Sequence, residues 1–360
     1  MRRYAKPVAA AVAMVLAGAS GAAVAEDAPA IPKLSDILTA SGITATGYVA
    51  ASYYHSTELN SFHQFDVEHN TFQLDQAAFT LAYQPTEGFG ALVNVIGGED
   101  ARILNGGQSF DLTQAYVQYA VGGLTVIGGK YVTLAGAEVI APTGNTNFSR
   151  GLLFFEEPLT HTGVRATYKV NDLFSFTAGV NNGWNANSES SPNKTVELGF
   201  SITPVPIFSL AAAAYFGHEP QVFGIDAKHT LIDLVATIKP FDALSFVINY
   251  DYHKQDIPGA DSVKYQGIAG YVNYAFTDQF RISVRGEVLD DKDGFLTGTD
   301  QKIKEATVTL GYAPVKSFEL RLEARKDKSG DPLFTKLHPA FEGDAADKQT
   351  EFAVQGVYSF

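Results

Sequence analysis

From residue 318 to 325 the chain reads Phe-Glu-Leu-Arg-Leu-Glu-Ala-Arg, apolar at every even position and charged at every odd one. Successive side chains of a β-strand point to opposite faces, so this segment predicts a strand with one charged face and one apolar face. The same register runs through 280–288, 174–181 and 244–251, and the last ten residues keep their even face apolar. A soluble sandwich also alternates. At this length, however, it would carry near-continuous apolar strands, and those are largely missing. Dyadic segments of about ten residues with aromatic rings at their ends predict strands that cross a membrane in a closed barrel.

Punctuation along the chain sets the strand number. Tight connections rich in Pro, Gly, Asn and Asp fall at 84–88, 120–123, 170–172, 203–206, 239–242, 276–279 and 313–316, where those residues supply turn geometry. Longer polar loops alternate with them, at 55–68, 98–109, 131–158, 183–192, 217–226, 253–261, 290–301 and 326–348. Seven turns pair fourteen strands. An opening strand near 43–54 and a closing strand near 350–360 bring the total to about sixteen, an even number as bacterial barrels have. The expected fold class is therefore all-β, a transmembrane antiparallel up-and-down β-barrel of about 16 strands. Tyr168, Tyr250, Tyr274, Tyr312 and Tyr358 stand near strand ends and suit the interfacial aromatic girdles.

The amino terminus adds a compartment. A basic start (Arg2, Arg3, Lys6), an apolar run from Val8 to about Ala19 and small residues up to Ala25 form a secretory signal peptide, cleaved after about Ala25. The expected layout is a signal peptide over 1–25, a short periplasmic N-terminal segment over 26–42 and an outer-membrane barrel over 43–360. The destination is the outer membrane of a Gram-negative bacterium. With no cysteine, the chain has neither a disulfide framework nor a lipid-attachment thiol.

Charge narrows the function. The chain has 26 Lys and Arg against 39 Asp and Glu, and net charge −13. Losing the three basic residues of the signal takes the mature protein to about −16, which argues against nucleic-acid binding. The alternating strands also dictate where their charges point. A Lys or Arg in lipid costs about 2–4 kcal/mol at the midplane, so charged strand positions face the lumen. Candidate channel-lining residues are Arg165, Lys169, Arg281, Arg285, Glu287, Glu319, Arg321, Glu323 and Arg325. The loop at 131–158 carries Arg150, an apolar patch at 152–155 and the acids Glu156 and Glu157. One expectation is that it folds into the lumen and narrows it, those acids opposing wall arginines and setting an ionic field. The other is an external loop ending at Pro158.

Three stretches resemble the OmpL-like β-barrel porin family. Gly47-Tyr48-Val49-Ala50-Ala51-Ser52-Tyr53-Tyr54 leads to Glu68-His69-Asn70-Thr71-Phe72-Gln73-Leu74. Gln114-Ala115-Tyr116-Val117-Gln118-Tyr119 precedes Gly129-Lys130-Tyr131. Asn147-Phe148-Ser149-Arg150-Gly151-Leu152-Leu153-Phe154 is followed by His161-Thr162-Gly163-Val164-Arg165 and Asn181-Asn182-Gly183-Trp184. The likeness covers mainly 43–200 and implies an outer-membrane pore. Tyr358 and terminal Phe360 resemble the assembly signal of outer-membrane barrels, with Gly356 one place from the glycine position of that signal.

A barrel of this width leaves an aqueous channel. The reading favoured by size is passive diffusion of small hydrophilic solutes or ions. The alternative is a structural or adhesive barrel with an occluded lumen. A hydrolase has no support in spacing, since no Ser, His and acid are brought together, and no catalytic residue, metal ligand or cofactor is assigned. The run Asp290-Asp291-Lys292-Asp293-Gly294 lacks the spaced ligands and distal Glu of a calcium loop and reads as a solvated turn. Expected partners are outer-membrane lipid and lipopolysaccharide, the barrel-assembly machinery and small hydrophilic solutes, with further copies of the chain as an oligomeric option.

Overall fold

Alternating faces become strands only when each backbone N–H and C=O finds a partner. In the computed structural model every long strand has two such neighbours. The described residues are 34–59, 61–188, 191–220, 226–338 and 344–360. The proposed signal peptide lies outside them, as do residues 26–33 of the expected periplasmic segment over 26–42. Helix α1 (Leu34–Ser41) forms a unit of its own and ends with the Ser41 hydroxyl donating to the Leu38 carbonyl at 2.9 Å.

The second unit is the barrel. Its strands are β1 (Ile43–Ser56), β2 (Asn70–Tyr83), β3 (Gly88–Gly97), β4 (Phe110–Val121), β5 (Leu124–Val132), β6 (Thr160–Lys169), β7 (Phe174–Asn181) and β8 (Thr195–Val205), with helix α2 (Glu99–Leu104) between β3 and β4. Next come β9 (Phe208–Pro220), β10 (Asp226–Phe241), β11 (Leu244–Asp256), β12 (Val263–Ala275), β13 (Phe280–Asp291), β14 (Gln301–Val315) and β15 (Phe318–Lys328). A two-stranded hairpin, β16 (Phe334–Thr335) with β17 (Ala345–Ala346), sits in the last loop before β18 (Lys348–Ser359). Each of the first fourteen pairs antiparallel with the next, β15 pairs with β18, and β18 pairs with β1 from Tyr48↔Ser359 to Ser56↔Glu351. The result is a closed barrel of sixteen strands.

Burial reproduces the alternation. Along β15, Arg321, Glu323, Arg325 and Asp327 are buried while Leu322 and Ala324 are exposed. Along β14, Glu305, Thr307 and Thr309 are buried while Val308 and Leu310 are exposed. The outer surface is thus a band of exposed Val, Leu, Ile and Phe, as lipid requires, and the polar side chains point in. Rings collect where strands meet the tight turns, with Phe89 against Tyr119 at 4.9 Å and Phe280 stacked on Tyr312 at 4.6 Å.

Short turns place the chain ends at the periplasmic side and long loops outside. Strands reach further outward than the sequence suggests. β9 runs to 220 and β11 to 256, taking residues assigned to loops, because beyond the lipid both faces of a strand can be polar. The loop expected at 131–158 spans 133–159, β5 having absorbed Tyr131 and Val132.

The seam depends on the terminal residue. Phe360 exchanges two backbone hydrogen bonds with Gly47, each 2.9 Å. A Cβ at Gly47 would sit 2.5 Å from the Phe360 ring and 2.8 Å from the Ala78 carbonyl oxygen. Gly47→Val is therefore expected to weaken the barrel by about 1–3 kcal/mol through overpacking. Urea unfolding followed by heat-modifiable gel mobility measures this; an unchanged midpoint would show that the seam tolerates the bulk.

Candidate channel and its inward loop

Between β5 and β6 the chain turns into the barrel. The loop 133–159 contains a 3-10 turn at Pro142–Gly144 and helix α3 (Leu152–Glu156). Its apolar patch holds it there. Leu152 packs with Tyr265, Leu289, Ile303 and Phe334, Leu153 with Ala269 and Tyr271, and Phe154 with Phe65, Ile96, Ile140 and Leu159. One short helix thus touches walls on several sides of the lumen. Full burial of each such side chain is worth roughly 1.5–3 kcal/mol.

Polar bonds pin the rest. Leu134 N–H donates to the Tyr215 hydroxyl at 2.8 Å and Ala137 N–H to Asn249 at 2.6 Å. Phe148 and Ser149 N–H both donate to Glu323, at 2.6 and 2.9 Å, and Leu152 N–H donates to Glu287. From the wall, Arg281 donates to the Thr146 carbonyl at 2.7 Å, Arg285 to the Ser149 carbonyl at 2.8 Å and Arg325 to the Arg150 carbonyl at 2.6 Å. Arg321 reaches the Pro142 carbonyl at 3.1 Å.

Among the nine residues expected to line the lumen, eight are inside and engaged. Arg165 pairs with Glu197 at 2.8 Å and lies over the Tyr131 ring, while Arg281 and Arg321 share Glu319 at 2.6 and 2.8 Å. Arg285 bridges Glu138 at 2.8 Å and Glu305 at 3.3 Å, and Arg325 pairs with Asp327 at 3.0 Å. Lys169 departs from the expectation. It is exposed at the periplasmic strand end and bridges Asp172 in the turn at 2.8 Å, because position 169 lies beyond the inner wall.

The loop acids also correct the expectation. Glu156 hydrogen-bonds Tyr265, and Glu157 lies beside Asp233 of β10 and Asp251 of β11, one oxygen of each within 4.8 Å of the other two. Neither acid meets a wall arginine among the described residues; Glu138 does so instead. Arg150 forms no ion pair among the described residues, although Asp75 and Asp100 line the same small cavity. Its guanidinium donates to the carbonyls of Val139, Phe148 and Ile140, at 2.8–2.9 Å, and faces the Phe65 and Phe154 rings as a strut inside the loop. Asp291 is likewise consumed by loop backbone, accepting from the N–H groups of Phe295, Leu296 and Thr297. Asp233 and Asp251 were detectable as inward positions of alternating strands; their meeting with Glu157 needed the loop path.

Cavities lie on both sides of α3. One of about 970 Å³ reaches from Phe154 and Glu138 to Lys316 and Phe360 at the periplasmic end. The other, about 330 Å³, is lined by Phe155, Glu156, Glu157, Trp184, His229 and Tyr265. There Trp184, His229, His253, Tyr265 and Phe295 form a run of neighbouring rings with centroids 4.3–6.1 Å apart. Among the described residues sixteen buried carboxylates accompany only five buried arginines.

Two expected outcomes follow from this packing. Arg285→Ala would strand buried Glu138 and Glu305 and cost about 3–5 kcal/mol, read by urea unfolding and by faster proteolysis within 133–159; equal resistance would show the bridge to be dispensable. The second concerns loop 57–69, where His63 contacts Asp66 at 2.5 Å and Asp327 at 3.0 Å. Burial disfavours the imidazolium and Arg325 adds to that, but the two carboxylates outweigh both and raise the His63 pKa above its ordinary value. Asp66 is also opposed by burial, and the imidazolium overcomes it to hold that carboxyl below its ordinary value. The raised His stabilises below about pH 6.5 and loses this as pH climbs through its folded pKa; the lowered Asp stabilises above about pH 4. Hydrogen exchange in 57–69 should accordingly be slowest at about pH 4–6.5, after correction for intrinsic rates, and His63→Gln should flatten the profile.

The family model described as "Putative beta-barrel porin-2, OmpL-like" matches residues 42–360. No curated protein matches the sequence. Among solved structures, OmpT of Vibrio cholerae aligns with TM-score 0.64 at 11% identity, over 88% of this chain and 97% of that one. The anion-selective porin from Comamonas acidovorans aligns with TM-score 0.63 at 12% identity, over 88% and 99%. The outer-membrane channel DcaP of Acinetobacter baumannii aligns with TM-score 0.60 at 13% identity, over 88% and 97%. At these identities the likeness shows a shared fold.

Proposed function

The chain belongs to the OmpL-like porin-2 family of outer-membrane β-barrels, porin-like channels of the Gram-negative outer membrane, and from that premise we propose that it passes small hydrophilic solutes by diffusion and prefers cations. The surplus of buried carboxylates over arginines carries this reading. The arginines of β13 and β15 are consumed by loop carbonyls and paired acids, whereas Glu157, Asp233 and Asp251 stand together and no basic side chain among the described residues bridges them. A ring of acids raises the local concentration of cations. Aromatic faces beside Glu156 and Glu157 add a surface suited to organic cations such as amines. The loop over 133–159, with Glu138, Glu156 and Glu157 on it, acts as the constriction. Tyr358 and Phe360 act as the recognition end for assembly, and copies of the chain associate as in the trimer form of Vibrio cholerae OmpT.

One observation favours a second reading, a closed barrel with a structural or adhesive role. The two cavities share no lining residue and meet at the α3 turn.

Planar-bilayer recording of the refolded protein in asymmetric KCl tests both. Cation preference makes the dilute side positive at zero current, and Asp233→Asn with Asp251→Asn moves that potential toward zero. Deleting 143–155 raises single-channel conductance. A negative dilute side overturns the cation preference; a full-length protein that is silent while the deletion conducts supports the closed barrel.

A further inference from the structure

Outside the barrel, the loop-side ends of β14, β15 and β18 carry five exposed lysines in a protein of net charge −13: Lys302, Lys304, Lys326, Lys328 and Lys348. Register makes them a patch. Lys304 is the cross-strand partner of Lys328, and Lys328 of Lys348. Directly opposite residues stand about 4.5–5.5 Å apart at Cβ, and like charges there are destabilising. Only the margins are neutralised. Lys302 bridges Asp290 at 3.1 Å, and Lys348 has Asp347 at 3.8 Å. Among the described residues no carboxylate forms an ion pair with Lys304, Lys326 or Lys328.

Two ordinary explanations do not cover this patch. Lysines guard exposed sheet edges, but a closed barrel has none. The other is a merely solvated rim, but elsewhere on the rim such lysines are neutralised: Lys254, opposite Lys264, bridges Asp256 at 2.6 Å, and Lys302, opposite Asp290, bridges it at 3.1 Å. Height supplies the positive argument. Below Lys304 the outward positions are Ala306, Val308 and Leu310; below Lys326 they are Ala324 and Leu322; below Lys348 come Thr350, Phe352 and Val354. Lys304 and Lys326 therefore stand two residues, roughly 7 Å along their tilted strands, beyond the apolar band, and Lys328 and Lys348 further out, at the level of lipid headgroups on the side of the long loops.

We propose that Lys304, Lys326 and Lys328, flanked by Lys302 and Lys348, form a binding site for the phosphates of lipopolysaccharide in the outer leaflet. Several ammonium groups in one plane match a glycolipid that carries more than one phosphate, and each such lysine adds to attraction toward an anionic headgroup. The site rests on the outer-membrane location and not on conduction, so failure of one leaves the other standing.

The test uses full-length refolded protein in lipid nanodiscs, titrated with bisphosphorylated lipid A, its dephosphorylated form and phosphatidylglycerol, with bound lipid read by native mass spectrometry. Wild type should retain bisphosphorylated lipid A about a hundredfold better than Lys304→Gln/Lys326→Gln/Lys328→Gln. It should show no such margin for the dephosphorylated lipid, and the preference should fade with added salt. Heat-modifiable mobility checks that the triple variant is folded. Lys254→Gln/Lys264→Gln, at another part of the rim, should bind as wild type does. Equal binding by the triple and wild-type proteins overturns the site. Equal retention of phosphatidylglycerol overturns lipopolysaccharide as its ligand.

Discussion

A strand in hydrocarbon has nowhere to send its backbone polar groups except to another strand, since each unsatisfied N–H or C=O costs several kcal/mol without water. That constraint organises this molecule. It demands the β1–β18 seam, and the seam in turn demands Gly47 opposite Phe360. Closure also leaves every strand with one face in lipid and one inside. The side-chain period of two then sorts all charge within the lipid band to the interior.

Sorting charge inward creates a second problem. The lumen holds far more acid than base, and the desolvation cost of such charges is large unless they are bonded or wet. The inward loop addresses part of it with backbone. Phe148, Ser149 and Leu152 offer N–H groups to Glu323 and Glu287, while loop carbonyls accept from Arg281, Arg285, Arg321 and Arg325. Apolar α3 provides the anchor that polar bonds alone would not. The Glu157, Asp233 and Asp251 group has Asn249 donating to both aspartates but no ion pair among the described residues, and the cation-attracting passage of the proposed channel runs there.

Much of the fold was legible because a barrel strand is a local pattern. Arg321, Glu323 and Arg325 point inward for the same reason that Leu322 points outward, and the turn residues at 276–279 and 313–316 mark the chain reversals directly. The site was less legible because its partners are set by register and by the path of one loop. Arg285 meets Glu138 across 147 residues, a distance at which no sequence spacing is informative. Glu156 and Glu157 invited pairing with arginine by their charge alone, yet α3 turns them toward β10–β12, where Tyr265, Asp233 and Asp251 stand. Arg150 was visible as a cation in a loop; its role as a strut depends on three carbonyls that only the folded loop brings together.

The same alternation that hides acid inside also explains why surplus base lies outside. On β14 and β15 inward and outward positions interleave one by one, so Glu305 and Asp327 face in while Lys304, Lys326 and Lys328 face out. An outward lysine is tolerable only beyond the hydrocarbon, and there the medium is a lipid surface. Interior acid and exterior base are thus held apart by the thickness of one sheet. The lysines cannot neutralise the lumen, because a closed, hydrogen-bonded wall stands between them. On the two proposals, the interior acids left without an arginine draw mobile cations, and the outer lysines draw anionic headgroups. A barrel with negative net charge can in this way be attractive to cations within and to phosphate at its rim, and the two preferences can be altered separately.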